Sequence, residues 1–122
     1  GHVVSCTRAA SHTCGELKVW EAKTLTCIRS IRGDAQPHGG ISSDSITVLP
    51  YTDQVVWGTV TGYLVRVDVA SGDEVASLAV HSRDVGALAA CTRVAVAAAA
   101  REGVRVVDVA RGVLLGSIDA ER

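Results

Sequence analysis

Apolar and polar residues alternate along most of the chain with a period of two, in short runs broken by turn residues. The clearest runs are "GELKVWE" (15–21), "LVRVDV" (64–69) and "VRVVDV" (104–109). Each is followed by a polar turn and a second apolar run. Such alternation sends successive side chains to opposite faces of a strand, and runs that are nearly all apolar suit strands packed between sheets. "ASGD" (70–73) and "ARG" (110–112) supply the turns, where glycine reaches positive φ without a Cβ clash. The pattern also repeats. A shift of 47 places Gly15 on Gly62, Leu17 on Leu64, Glu21 on Asp68, Ser30 on Ser77 and Ile31 on Leu78. A further shift of 40 places Val67 on Val107, Asp68 on Asp108, Gly72 on Gly112 and Ser77 on Ser117.

Further strands lie between the repeated pairs. "DSITVL" (44–49), the turn "PYTD" and "QVVWGTV" (54–60) come before the second pair. "DVGALAA" (84–90), the break "CTR" and "VAVAAAA" (94–100) come before the third. Two units thus offer four strands each, a to d. The first offers only "HVVSCT" (2–7) as strand b, with c and d after it. A period of 40–47 that preserves two strands and their turn predicts the blades of a β-propeller. The expected fold is all-β: a propeller segment of about three four-stranded antiparallel blades, the first incomplete. Its boundaries are 2–32 for strands b to d of the first blade, 44–81 for the second and 84–119 for the third. A helix competes for the alanine-rich stretch, since Ala is the best helix former, but Gly86, Thr92 and the Val94/Val96 alternation favour strands. "RGDAQPHGGISS" (32–43) reads as an exposed loop. Propellers take about four to eight blades, so the remaining blades are expected from the same protein or from a second copy.

The repeated units resemble WD repeats. "CGELKVWE" follows that family's pattern with Gly15, Leu17, Val19, and Trp20-Glu21 where Trp-Asp is usual. "TGYLVRVD" and "EGVRVVD" keep the acids Asp68 and Asp108 but carry Val67 and Val107 in place of Trp. The resemblance implies a structural blade motif at Trp20, Glu21, Asp68 and Asp108. It also implies a buried hydrogen-bonded tetrad of loop His, strand-b Ser/Thr, strand-c Trp and turn Asp. No blade holds all four: Trp20 has Ser5 on the preceding strand, while His81 and the displaced His38 are the loop histidines. "VWGTVTG" (56–62) is similar to strings in several propeller families, including the domains ahead of the catalytic domain in some inositol polyphosphate phosphatases. What the family implies is a non-catalytic protein-interaction scaffold. The alternative is the regulatory propeller of a multidomain enzyme of that phosphatase kind, with its catalytic domain elsewhere.

Composition narrows the function classes. The 122 residues carry a net charge of −1, so no strong field draws the chain to nucleic acid or an acidic membrane. Met and Phe are absent, and Val and Ala dominate. Gly1-His2 then reads as a remnant of tag removal rather than as the Gly-His of a repeat. The most apolar run, 94–100, is too short to span a bilayer. Cys6, Cys14, Cys27 and Cys91 are irregularly spaced and suggest no disulfide framework, which favours a reduced, intracellular and cytoplasmic setting.

Candidate chemistry is sparse. Cys6, His12 and Cys14 are zinc-ligand types without a fourth ligand or a C-x₂₋₄-C pair, so no metal is expected. "PHGG" (37–40) lacks a G-x-S-x-G nucleophile elbow, no carboxylate pair is placed for acid–base work, and no phosphate-cradling glycine loop occurs. No cofactor and no catalytic residue is expected. The d–a and b–c loops, by contrast, should share one end of the blades. Arg8, Arg32, His38, His81, Arg83 and Arg101 fall in or beside them, and form the expected partner-binding surface for acidic or phosphorylated protein segments.

Overall fold

The alternation resolves into eleven strands in the computed structural model, which describes residues 2–8, 13–34, 36–92 and 94–119. The first sheet has three strands in the order β1 (His2–Arg8), β2 (Cys14–Glu21) and β3 (Thr26–Arg32). The second runs β4 (Ile41–Val48), β5 (Gln54–Thr59), β6 (Tyr63–Asp68) and β7 (Glu74–Ala79). The third runs β8 (Ala87–Ala90), β9 (Ala95–Ala100), β10 (Gly103–Asp108) and β11 (Val113–Asp119). Within each sheet every strand pairs antiparallel with its chain neighbours, and the sheets stack face to face in the manner of successive propeller blades. Among the described residues no helix is long and apolar enough to cross a membrane.

The recurrent acid explains the recurrent turn. The Asp68 carboxylate accepts the backbone N–H of Ala70 at 2.8 Å, and that of Asp108 accepts those of Ala110 and Arg111 at 2.9 Å. Glu21, one methylene longer, accepts the N–H of Lys23 at 2.8 Å. An acid at the end of strand c thus anchors the hairpin that leads into strand d. Four residues on, the backbone N–H of Leu25, Gly72 and Gly112 closes each turn on the carbonyl of the acid, at 2.8 Å in all three. That closing residue is left-handed in every copy, with φ of 56°, 76° and 69°. The pairing slips by one residue at the same place in each hairpin, between Val19 and Trp20, Arg66 and Val67, and Val106 and Val107.

Two apolar junctions hold the sheets together. Between the first and second lie Leu17, Val19, Ile41, Val55, Trp57, Val65 and Val67, and between the second and third lie Leu49, Val56, Leu64, Val85, Val96, Ala98 and Val107. Odd and even positions of one strand therefore serve different junctions, as Val55 and Val56 show. The alanine-rich stretch is strand because β9 packs in the second junction, where Val96 and Ala98 are wholly buried. Helix propensity, a few tenths of a kcal/mol per residue, yields to that packing. The expected loop 32–43 is shorter than its composition suggests. Arg32 belongs to β3, and Ile41 and Ser42 begin β4 as buried residues because the Ile41 N–H is held by the Gly33 carbonyl at 2.7 Å. The last strand, β11, is exposed along its length and presents Leu114, Leu115 and Ile118 to solvent.

The cysteines correct the sequence expectation. Cys6 and Cys14 form a disulfide across β1 and β2, with Cα atoms 5.8 Å apart, inside the range such a bridge requires. The expectation of reduced thiols therefore fails for this pair, although the register sets Cys6 opposite Leu17 and Cys14 opposite Arg8, with a shift in the pairing between Thr7 and Arg8. Cys27 and Cys91 are free and exposed. His12, the third member of the considered metal cluster, lies outside the described residues.

Candidate functional site

The d–a and b–c loops gather at one end of the stacked sheets, and the a–b and c–d turns at the other. At the loop end the candidate residues have unlike surroundings. The backbone of Arg8 ends β1, and its side chain lies outside the described residues. The Arg32 guanidinium is spent on Asp34, donating from Nε and Nη2 at 3.3 and 3.2 Å. That bond holds the Asp34 carboxyl below its usual range, against a smaller opposing effect of desolvation. His38 stacks on Tyr63 with ring centroids 5.0 Å apart and approaches the Glu74 carboxylate at 3.1 Å. His81 is fully buried, so its imidazole does not reach the surface where it was expected.

What His81 does instead is join the second and third sheets. Its Nε2 lies 3.0 Å from the Ala98 carbonyl, and its Nδ1 lies 3.7 Å from Glu102 Oε1 with no hydrogen bond. Desolvation pushes the Glu102 carboxyl upward, but donation from the Ser82 backbone and hydroxyl, helped by the charges of His81 and Arg105, holds it below the usual range. The Ser82 N–H bond to Glu102 measures 3.0 Å. In the first sheet Trp20 Nε1 donates to Ser5 Oγ at 3.0 Å. Of the tetrad implied by the resemblance, the Trp–Ser hydrogen bond forms in the first sheet, with Ser5 exposed, while His81 and Glu102 lie near each other without a hydrogen bond between them. Glu102 was missed as a structural residue, although an acid in the b–c turn following a loop histidine was the available signal.

Arg83 and Arg101 are the residues the loop end leaves available. Both are exposed, and neither makes an ion pair or hydrogen bond among the described residues. They line one open depression, floored by Gly86, Ala87, Ala99 and Ala100 and sharing its wall with Asp84. Its small side chains leave the two guanidinium groups and the Asp84 carboxylate as its chemistry, and the guanidinium pair is suited to holding an anion by charge and paired N–H donors. Trp57, the aromatic of "VWGTVTG", is 2% exposed in the first junction and fills space there. Among the described residues no group of three or more His, Cys, Asp or Glu side chains is placed to hold a metal.

No protein-family model matches the sequence, and no curated protein matches it either. Solved structures do. One chain from the crystal structure of a mitotic checkpoint complex superposes with a TM-score of 0.76 over 98% of this chain, at 16% sequence identity. The match covers 34% of that chain, so the protein spans about a third of the neighbour's length. Identity this low carries the fold alone. The chain is built as a segment of a β-propeller.

Proposed function

We propose that the chain is part of a WD-type β-propeller that works as a non-catalytic platform for other proteins. Further blades, from the same protein or a second copy, would cover the outward face of the third sheet, where Val104, Val106 and Ile118 lie only partly buried or exposed. Its mechanism is rigid presentation: the stacked sheets fix the loops, and the loops choose the partner. The observation that carries this reading is the pair of unengaged guanidinium groups, Arg83 and Arg101, around one depression at the loop end. Acidic or phosphorylated segments are the partners this chemistry suits, because Arg offers a planar fork of donors to a carboxylate or phosphate.

The test is retention of immobilised acidic and phosphorylated peptides by the full-length protein and by an Arg83→Glu/Arg101→Glu double variant. At least a tenfold loss of retention is expected, with the thermal midpoint unchanged because both side chains are exposed. Equal retention by the two proteins would overturn the assignment of the loop end.

A further inference from the structure

The repeat supplies an internal control at the opposite end of the sheets. In the first junction Arg29, on β3, reaches across to the c–d turn of the second sheet. It donates from Nε to the Val69 carbonyl at 3.0 Å and from Nη2 to the Ala70 carbonyl at 2.6 Å. Its guanidinium lies so close over Gly72 that a Cβ there would meet it at 2.6 Å. One repeat later Arg29 becomes Ala76, and the turn becomes Val109 to Gly112. Nothing lies within 4 Å of a Cβ built on Gly112. Where Arg29 fills the first junction, the second has a cleft of about 140 Å³.

The cleft is not chemically neutral. Arg29 stands opposite Val19 in the first sheet, whereas Ala76 stands opposite Arg66 in the second. The positive charge has moved from strand d to strand c. Arg66 donates from Nη1 to Gln54 Oε1 at 3.2 Å, but its Nε is buried with no acceptor. A desolvated donor on a charged group is costly to leave unmet. Arg111 lines the same cleft, only loosely engaged by Asp108 at 4.0 Å, and no carboxylate lines it. Val56, Leu64, Leu78 and Val109 provide an apolar wall beside these two cations.

We propose that this cleft receives the carboxylate side chain of a glutamate or aspartate from an extended segment of a partner protein. The carboxylate pairs with the Arg66 and Arg111 guanidinium groups and neutralises their charge, while a neighbouring aliphatic side chain of the segment covers the apolar wall. A cationic side chain is disfavoured, since Arg66 already holds positive charge in the space. The site lies at the turn end, away from Arg83 and Arg101, and stands independently of the loop-end reading.

The test is a titration of the full-length protein with the peptide acetyl-Ser-Leu-Glu-Leu-Ser-amide and with its Glu→Gln twin. The arginine Nε–H resonances are followed by NMR. The Glu peptide should saturate the Arg66 signal with at least tenfold higher affinity than its twin. Ala76→Leu, a neutral plug for the cleft, should abolish binding. Arg66→Met should erase the preference for Glu over Gln while preserving the thermal midpoint, and Arg83→Glu/Arg101→Glu should leave binding unchanged. Equal affinity for the twins, undiminished binding by Ala76→Leu, or absence of a saturable Arg66 shift would overturn the proposal.

Discussion

The two junctions between sheets join the same kind of strands in the same order, yet they are clamped at opposite ends. In the first, the side-chain clamps sit at the turn end: Arg29 on the Val69 and Ala70 carbonyls, and His2 beside Asp53 at 3.3 Å. In the second, they sit toward the loop end: His81 on the Ala98 carbonyl, Arg105 on the Val80 carbonyl, and Ser45 Oγ donating to the Val85 carbonyl at 2.6 Å. The packing differs with them. The first junction encloses Trp57, while the second is filled by Val, Leu and Ala, which draws backbones together and requires missing side chains. A Cβ on Gly58 would lie 2.6 Å from Val85. Repetition therefore governs the hairpins, and individual residues outside the repeat govern how blades adhere. The empty turn end of the second junction is the consequence.

The largest effect is expected within the second sheet, where the chain leaves β7 for the third. Gly62→Ala adds a Cβ against the His81 carbonyl at a backbone φ of +91°, so neither relaxation nor rotation accommodates it. A loss of about 3 kcal/mol is expected from such a clash combined with backbone strain, measured by denaturant unfolding. Removing the clamp of the first junction should cost less. Arg29→Ala strips the donors from two carbonyls and should lose about 1–3 kcal/mol, with Ala76→Gly serving as the control at the equivalent site where no clamp exists. An intermediate effect of opposite sign is expected at the c–d turn of the first sheet. Leu25 holds a left-handed φ of 56° where the other copies have glycine, and its side chain is 73% exposed. Leu25→Gly should therefore stabilise by about 1 kcal/mol, the relief of that conformation, raising the thermal midpoint.

The smallest expected effect concerns pH. The Glu102 carboxyl is held below its ordinary value of 4.5 in the folded chain, so folding is favoured by its ionised form. That contribution is present above the ordinary value and disappears as pH falls through the folded one. Glu102→Gln should flatten the fall of the thermal midpoint on acidification below about pH 4.5 and change little at neutral pH. Asp34 shares the same direction but answers to Arg32, in the loop leading to the second sheet, and so should respond to Arg32→Gln and not to changes in the second junction.

Much of the architecture was legible from period and turn chemistry. The alternation in "LVRVDV" and its copies identified strands, and the glycines of "ASGD" and "ARG" identified the turns, whose anchoring by the preceding acid the structure added. Even the alanine-rich stretch was assigned correctly, because its place in the repeat outweighed its propensity. The loop end was only half legible. Arg83 and Arg101 could be placed there from the strand order, but a sequence does not say which arginine is already paired. Arg32 spends its charge on Asp34 two residues away, and His81 turns inward toward the third sheet. The disulfide and the Arg29 clamp were illegible for one reason. Cys6–Cys14 and Arg29–Val69 join strands or sheets at registers that leave no repeated spacing.

By itself, then, the sequence determined the period, the strand and turn identities, and the all-β class, because these rest on local alternation and on backbone conformations that particular residues permit. Tertiary structure alone decided which polar side chains are spent within the protein and which stay unengaged. That choice depends on distances across junctions between sheets, and two positions one repeat apart, Arg29 and Ala76, show how a single substitution turns a filled junction into a cleft.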